Sequence, residues 1–254
     1  MPKTIAFVRR PGPSFNQAIS ANPKNQPINL KRACLQHECY IAALEETGIE
    51  VVQLPAVYEY PDAPFVEDTT VVFNYVALAC PNKEKSRRGE GVSIHKEIKN
   101  YRTIKSLPPH VTLDGGDVLN TKKKIFVGIS SRTNLEAVKA LAKFTKKPVV
   151  PVKVLSGLHL KTSVSYLGKN ILVLDPSSVD TASLHEFKWI EASKSNRYHA
   201  NCLAIGKTVL ISKGSSEIAN KIHQEGFKTV QLDISEFEKA DGGLTCLSII
   251  LKKH

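Results

Sequence analysis

Asn201-Cys-Leu-Ala-Ile205, Gly206-Lys207 and Thr208-Val-Leu-Ile-Ser212 form the stretch that decides the fold. Two apolar runs separated by a two-residue turn that contains glycine predict a β-hairpin. A helical pattern follows from Ser215-Ser216, and after it comes a third predicted strand, Thr229-Val-Gln-Leu232. The predicted unit is therefore strand, strand, helix, strand.

The same order occurs earlier in the chain. Val111 to Leu119 and Ile125 to Ile129 are apolar runs that flank the polar turn Thr121 to Lys124. A predicted helix then begins with Thr133-Asn134 as its cap and leads to the strand Pro148 to Val152.

Three further copies are less regular. They comprise residues 163–174, residues 65–79 with a polar helix from about Gly91 to Ser106, and a unit that joins the chain ends, with Thr4 to Val8, a helix over Asn29 to Thr47, Val51 to Leu54 and Gly243 to Leu251. Five units at a spacing of roughly 50 residues predict a radial array in which each unit buries its apolar face against its neighbours. A ring closed by its own termini would make residues 1–254 a single domain. A doubly wound parallel sheet is the rival fold, but it does not explain the hairpins.

Composition excludes several protein classes. The chain has 254 residues and five cysteines with no CxxC pair, so we expect neither a disulfide framework nor a structural zinc site, and we expect the reducing cytoplasm as its location. No apolar run is long enough to span a membrane. The formal net charge of +11 raises nucleic acid as a partner, but the basic residues are spread out and not interleaved with aromatic ones, so we expect no specific nucleic acid partner.

Cys246 is the candidate nucleophile, because it lies where the glycine pair Gly242-Gly243 leads into an apolar predicted strand. A lone cysteine before an apolar run is more often a small buried hydrophobic residue. His159, after a turn of small residues, is the candidate general acid and base, with a buried structural histidine as the alternative. Asp114, beside Gly115-Gly116, is the candidate that orients the histidine, and hairpin geometry is its alternative role.

Three acids, Asp62, Glu67 and Asp68, lie in and beside an otherwise apolar segment, Phe65 to Phe73, that we predict as a strand. Consecutive residues of a regular strand point to opposite faces, so Glu67 and Asp68 reach one site only through a bulge or at the strand end. Buried carboxylates need a cationic partner, and a ligand guanidinium would supply five donors.

Six segments stand in the order and spacing of the dimethylarginine dimethylaminohydrolase family, and together they resemble it over about residues 4–252. They are Phe65-Val-Glu-Asp68, Leu113 to Leu119, Phe126 to Asn134, Gly157-Leu-His-Leu-Lys161, Ala200-Asn-Cys202 and Leu244-Thr-Cys246. The family belongs to the superfamily that includes arginine deiminases and amidinotransferases.

The resemblance implies a five-bladed α/β propeller of ββαβ modules and the hydrolysis of N-omega-methylated arginines to citrulline and a methylamine, without a cofactor. By position, Cys246 resembles the nucleophile, His159 the general acid/base and Asp114 the acid that orients it. Asp62, Glu67 and Asp68 resemble the substrate-binding acids. Arg87 and Arg132 resemble the residues that hold the α-carboxylate and amino-acid end of the substrate.

Specificity is less determined by the sequence. The segment Pro11 to Asn29 is predicted to be a lid over the site, and both it and Phe73-Asn74-Tyr75 depart from the family pattern, so plain arginine or another guanidine is an alternative substrate. A basic binding protein or sensor is the non-enzymatic alternative. No metal is expected as a cofactor, and a zinc ion on Cys246 and His159 would act as an inhibitor, since few ligands are at hand. No membrane partner is expected, and the chain is expected to be a monomer or a homodimer.

Overall fold

Five small sheets of three strands each make up the architecture of this chain. The computed structural model describes residues 3–21, 26–192 and 197–253. In chain order the strands are β1 Thr4–Arg9, β2 Glu50–Leu54, β3 Thr70–Val72, β4 Val76–Ala79, β5 Thr103–Ser106, β6 Val118–Asn120, β7 Ile125–Ile129, β8 Val149–Lys153, β9 Val164–Gly168, β10 Ile171–Leu174, β11 Lys188–Glu191, β12 Leu203–Ile205, β13 Thr208–Ser212, β14 Lys228–Leu232 and β15 Ile249–Lys252. Written in the order in which their strands are hydrogen-bonded to one another, the five sheets are β15-β1-β2, β3-β4-β5, β6-β7-β8, β9-β10-β11 and β12-β13-β14.

The strand pairing is the same in every sheet. The middle strand is antiparallel to a first strand, here called the inner strand, and parallel to a third, the outer strand. A parallel pair needs a crossover connection, and helices supply it in four of the five modules. The α-helices of the described residues are α1 Leu30–Glu46, α2 Val92–Ile98, α3 Glu136–Ala142, α4 Leu160–Ser163, α5 Ser216–Gln224 and α6 Ser235–Glu238. In the module of β9, β10 and β11, turns over residues 176–187 replace the helix.

The predicted five-module α/β propeller is thereby confirmed. The two ends of the chain form one module, because Thr4 pairs with Lys252 and Phe7 with Ile249 in antiparallel register. The hairpin turn Lys169-Asn170 takes positive φ angles of 48° and 64° at its two residues, as a tight hairpin connection requires. Within the described ranges, no helix is both long and apolar enough to cross a membrane.

The predicted limits of two helices were wrong. The polar helix predicted to reach Ser106 ends at Ile98, because Thr103–Ser106 forms the parallel outer strand paired with Val76–Ala79. Asn134 does not cap helix α3, since its side chain accepts a hydrogen bond from the backbone N–H of Thr112 instead. In each case a long-range partner outweighs the local preference.

Apolar residues of the sheets and helices pack into clusters between neighbouring modules. In one of them Ile5 and Phe7 of β1 contact the face of α2 that carries Ile94 and Ile98. All four side chains are fully buried, and each contributes about 1.5–3 kcal/mol of transfer free energy. This packing joins the module of the chain ends to the module of β3, β4 and β5.

A short helical turn precedes each inner strand. These turns are Val66–Thr69, Gly115–Asp117, Leu160–Ser163, Arg197–Ala200 and Leu244–Leu247. The two strands predicted over 65–73 and 243–251 therefore begin later than expected, at Thr70 and Ile249. Because the turns lie at equivalent places in the five modules, they bring residues far apart in sequence to one end of the ring.

Candidate active site

Five hydrogen bonds join the five turns in a closed circuit. They run from Gly116 N to Asp68 Oδ1 (3.0 Å), from Leu160 N to Asp117 Oδ1 (2.8 Å), from Asn201 Nδ2 to the Lys161 carbonyl (2.8 Å), from Thr245 N to Asn201 Oδ1 (3.0 Å) and from Thr245 Oγ1 to Glu67 Oε2 (3.0 Å). Each bond uses a side chain of one turn and a group of the next, with Asn201, directly after Ala200, acting for the fourth turn. The circuit fixes the relative positions of the turns, and with them the candidate residues they carry.

His159 lies immediately before helix α4 and is 3% exposed. Its Nε2 atom is 3.0 Å from Asp114 Oδ2, and its Nδ1 atom is 3.8 Å from Asp68 Oδ1. Burial opposes the charged ring, but the negative charges of Asp68 and Asp114, together with Asp117, outweigh it and raise the pKa of His159 to about 9. The imidazole is therefore held as a cation at neutral pH.

Gly116 lets the ring and the carboxylates meet. A Cβ atom at this position would lie 2.7 Å from Nδ1 of His159 and 2.8 Å from Oδ1 of Asp68. No side chain fits there without displacing one of them. The Gly115-Gly116 pair thus serves close approach at the site as well as the turn.

Asp114 is completely buried and held from several sides. Asn82 Nδ2 donates to its Oδ1 over 2.7 Å, and its own backbone N–H donates to the Thr133 hydroxyl. Its other carboxylate oxygen is left for His159, as the sequence interpretation expected. Asp114 and His159 are thus brought together by the fold.

Cys246 lies in the turn Leu244–Leu247 and is 9% exposed. The backbone N–H of Gly243 donates to its sulfur over 3.4 Å, and Tyr40 anchors the turn through a hydrogen bond of 3.0 Å to the Leu244 carbonyl. Burial, followed by the negative charges of Glu67 and Asp68, raises the pKa of the thiol to about 12. In the free protein the sulfur is therefore a thiol.

The turn Val66–Thr69 sends its two acids to different partners. Glu67 accepts from Lys161 over 2.6 Å and from the Thr245 hydroxyl. Burial raises the pKa of Glu67 to about 7, although Lys161 opposes the rise. The helical turn, rather than a bulge, is what allows both acids to reach the site region.

Asp68 is paired with a buried cation. Arg87 donates to Asp68 Oδ2 over 2.7 Å, to both oxygens of Glu90 and to the Phe65 carbonyl. Burial opposes ionisation of Asp68, but His159 and Arg87 outweigh it and lower its pKa to about 2. Every nitrogen of the Arg87 guanidinium donates to an acceptor of the protein, so its charge serves first to hold Asp68.

Arg132 has more donor capacity left. Its Nη1 atom lies 3.8 Å from Asp114 Oδ2, and it makes no hydrogen bond with any residue in the described ranges. The side chain is largely buried and borders a cleft that it shares with His159 and Cys246. An unsatisfied guanidinium group at a cleft is suited to bind a carboxylate.

A narrow cleft contains most of the candidate residues. It is lined by Ile19, Asp62, Phe65, Asp68, Arg87, Arg132, Leu158, His159, Ala240, Asp241, Gly242 and Cys246. The space open to the centre of a water molecule is about 10 Å³, room for about one water. Glu67 and Asp114 are not part of this lining. Asp114 is bonded to His159, which lines the cleft, and Glu67 is bonded to Thr245, the residue before Cys246.

The described part of the predicted lid reaches the cleft, where Ile19 belongs to its lining. The backbone N–H of Ile19 donates to Asp62 Oδ1 over 3.2 Å, and that of Ala21 donates to Asp241 over 2.6 Å. The pKa of Asp62 is raised above its usual value, because the effect of burial exceeds the opposing effect of the Arg87 charge. Residues 22–25 of the predicted lid lie outside the described residues. Ile19 and Asp62 both line the narrow cleft, so this part of the lid is one of its walls.

Three of the candidates could together hold a metal ion. Asp68, Asp114 and His159 each offer one ligand atom, and these atoms lie within 4.8 Å of one another. The hydrogen bond between His159 and Asp114 and the ion pair of Asp68 with Arg87 already engage these atoms. The group that could hold a metal is thus different from the Cys246 and His159 pair considered from sequence.

A model of the family described as "N,N dimethylarginine dimethylhydrolase, eukaryotic" matches residues 2–251. The chain belongs to this dimethylarginine dimethylaminohydrolase family. One N(G),N(G)-dimethylarginine dimethylaminohydrolase, from Streptomyces coelicolor, is 32% identical over 257 residues, which cover 100% of this chain and 99% of the relative. Another, from Pseudomonas aeruginosa, is 28% identical over 248 residues, covering 96% and 97%.

Solved structures agree with this assignment. A cysteine-to-serine mutant of the P. aeruginosa enzyme, complexed with citrulline, superposes with a TM-score of 0.94 at 26% identity and covers 99% of this chain and 100% of that one. The N-terminal domain of a cyanobacterial arginine dihydrolase superposes with a TM-score of 0.91 at 19% identity, covers 99% of both chains and thus shares the fold. The chain is a dimethylarginine dimethylaminohydrolase or a related hydrolase that modifies arginine.

Sequence reasoning assigned no role to several residues of this dimethylarginine dimethylaminohydrolase fold. Lys161, Asn201 and Thr245 lie in segments that carry the family resemblance, and the structure shows them in the hydrogen-bond circuit. Glu90, which neutralises Arg87, gave no sequence signal beyond being an acid in a basic stretch. Its partner is only three residues away, but the burial of both side chains is a property of the folded chain that the sequence pattern does not reveal.

Proposed function

We propose that this protein hydrolyses N-omega-methylated arginines, asymmetric dimethylarginine and monomethylarginine, to citrulline and dimethylamine or methylamine. The observation that carries the proposal is one cleft that joins Cys246, His159 and Asp68, with Asp114 behind the ring of His159. Sulfur, imidazole and carboxylate are the nucleophile, proton carrier and cation-binding group that this reaction needs.

The carboxylates would hold the planar guanidinium cation in line with the sulfur. Asp68 is ionised because its pKa is lowered to about 2, and Glu67, with a pKa of about 7, gains charge as a cation approaches. Such positioning of the reacting groups is worth several kcal/mol of the barrier. Asp62, at the lid, would contact the amino-acid end of the substrate.

The α-carboxylate of the substrate would be bound by Arg132, whose Nη1 atom makes no hydrogen bond within the described ranges. Arg87 also borders the cleft, but its guanidinium is saturated by Asp68, Glu90 and the Phe65 carbonyl. In this proposal Arg87 positions Asp68, and any contact with the substrate carboxylate is secondary.

The thiol of Cys246 would ionise on substrate binding, since a cation beside the sulfur lowers a thiol pKa, and its proton would leave to solvent. The thiolate attacks the guanidinium carbon and forms a tetrahedral adduct. His159, already protonated, gives its proton to the departing methylamine nitrogen, and a covalent S-alkylthiouronium remains. A water molecule then gives a proton to His159, adds to the same carbon and displaces the thiolate, which releases citrulline.

The test is to incubate the protein with asymmetric dimethylarginine and to measure citrulline and dimethylamine. Cys246→Ser should abolish both products, whereas Cys39→Ser, which changes an exposed thiol outside the cleft, should leave them unchanged. Folded protein that forms no citrulline from any guanidine would disprove the proposal. Mass spectrometry of the acid-quenched reaction should place the adduct on Cys246.

Substrate preference is decided by a competition between asymmetric dimethylarginine and plain arginine in one reaction. We expect dimethylamine to exceed ammonia among the released products. An excess of ammonia would assign the protein to arginine hydrolysis by the same residues. That outcome would contradict the proposed preference for methylated arginine, but it would be consistent with the proposed roles of Cys246 and His159.

A further inference from the structure

Two clefts open at the end of the ring that is remote from the candidate active site. Inner strands that start at the active-site turns end here, among them β3, β6 and β15. The first cleft, of about 810 Å³, is bordered by these strand ends and by residues 143–147. The second, of about 530 Å³, lies on the other side of the hairpin turn Thr121–Lys124. Together we call the residues that line these two clefts the distal face.

Among the residues that the structure describes, the distal face is lined by basic side chains and by no carboxylate. The first cleft has Arg102, Lys143, Lys146, Lys147 and Lys252 in its lining, and the second has Lys122, Lys123 and Lys169. Within the described ranges, the ion pairs of the chain include none of these eight residues, and the neighbouring Lys124 is the residue paired with Glu186. The active-site cleft, in contrast, is lined by three aspartates together with Arg87, Arg132 and His159. The distal face therefore differs from the active site in carrying positive charge that its own lining does not compensate.

Arg102 adds a buried positive charge to the floor of the first cleft. Its guanidinium donates to the backbone carbonyls of Phe73, Tyr101 and Lys252. Carbonyls satisfy the hydrogen bonds without neutralising the charge. An anion in the cleft would supply the missing negative charge.

Aromatic side chains lie among these cations. Tyr75, at the tip of the β3–β4 hairpin, is 78% exposed and borders the first cleft together with Phe144. Tyr166, which is half-buried, borders the second cleft and packs against the edge of the buried Phe187 ring, with the two ring centroids 6.0 Å apart. Phe144 lies between Lys143 and Lys146 in the sequence, whereas Tyr75 is far from these lysines in the chain and is brought beside them by the fold.

We propose that the distal face binds single-stranded nucleic acid, with its phosphates on the lysines and its bases on the aromatic rings. Cations that follow a groove, with aromatic platforms beside them, are what sequence-tolerant binding of a single strand requires. Concave clefts between hairpin tips admit a flexible strand more readily than a rigid duplex. An acidic peptide would use the charges but would have no need of Tyr75.

The test measures fluorescence anisotropy of a labelled 15-nucleotide oligouridine with the full-length protein over a series of salt concentrations. We expect Lys143→Gln/Lys146→Gln/Lys252→Gln to weaken binding and to reduce the slope of log affinity against log salt by about two, since each phosphate contact contributes about 0.7. Tyr75→Ala should weaken binding by about tenfold through lost stacking.

The matched control is Lys31→Gln/Lys153→Gln/Lys213→Gln, which removes the same charge from three exposed lysines outside both clefts. It should leave the salt slope unchanged, and hydrolysis of the guanidine substrate should be the same in both triple variants. Equal weakening by the two triple variants would overturn the proposal, because it would reduce the binding to overall charge. The proposal would also be overturned if the protein bound a duplex or polyglutamate more tightly than oligouridine and if Tyr75→Ala left that binding unchanged.

Discussion

His159 and Asp114 share a hydrogen bond of 3.0 Å between Nε2 and Oδ2, although 45 positions separate them in the chain. Both side chains are buried, and Asp114 belongs to the turn that precedes β6, while His159 precedes α4. The pair links two neighbouring modules at the point where they border the cleft. It also leaves the Nδ1 atom of the ring facing Asp68.

Asp114→Asn should lower the pKa of His159 from its value of about 9, because the carboxylate bonded to the ring favours the imidazolium. If the protonated ring gives its proton to the departing amine, the alkaline limb of the pH profile of kcat should shift to lower pH. An NMR titration of isotope-labelled histidine and a pH profile of citrulline formation measure the two effects. Asp180→Asn removes the same charge from an exposed residue, and it should change neither the pKa of His159 nor the pH profile of kcat.

The thiol of Cys246 should discriminate between a cationic and a neutral electrophile. Its pKa is raised to about 12 by burial and by Glu67 and Asp68, so a neutral reagent meets a thiol, whereas a cation is attracted by the acids and favours the thiolate. At each cysteine we compare the alkylation rate with cationic 2-chloroacetamidine to the rate with neutral 2-chloroacetamide. We expect this rate ratio to be about tenfold or more larger at Cys246 than at the exposed Cys39. Peptide mapping by mass spectrometry gives both rates. Equal ratios at the two cysteines would contradict the electrostatic role of the acids.

Lys161→Met should raise KM for the guanidine substrate by about tenfold at pH 7. The increase in KM should be smaller at pH 9. Lys161 is the main cation opposing protonation of Glu67, so its loss raises the pKa of that acid above about 7 and leaves it neutral at pH 7. Steady-state kinetics between pH 6 and 9 measure the effect. Lys161→Arg keeps the charge and should retain most of the affinity, and a KM that rises equally at all pH values would point to packing instead.

His37 should make the protein less stable in acid. The ring packs against Tyr40 and Phe237, neither of its nitrogens has a hydrogen-bond partner in the described ranges, and burial lowers its pKa to about 4. The unfolded chain binds the proton first, so the free energy of unfolding should fall by about 3 kcal/mol as the pH drops from 6.5 to 4.

Denaturant unfolding at several pH values checks this slope. His37→Leu should remove this part of the pH dependence, and His110→Leu, which changes an exposed histidine, should retain it. An unchanged slope in His37→Leu would show that other groups cause the acid sensitivity.

Local patterns in the sequence predicted much of the fold. The hairpins around Gly206 and Asn170 and the pairing of the chain ends are confirmed, because alternating apolar runs and turn residues act over few positions or recur at a fixed spacing. The turns at Val66–Thr69 and Leu244–Leu247 were predicted as strand, because their apolar residues satisfy either conformation and only the neighbouring modules distinguish the two.

The sequence by itself determined the five-module repeat, the acidic segment at Glu67 and Asp68 and the candidate set Cys246, His159 and Asp114, since these follow from residue types, spacing and family resemblance. Only the tertiary structure decided which turns meet, which cation Asp68 holds and where the lysines gather. The reason is physical. A hydrogen bond such as Thr245 to Glu67, or a cleft lined by Tyr75 and Lys143, depends on distances between modules, and those distances exist only once the ring has closed.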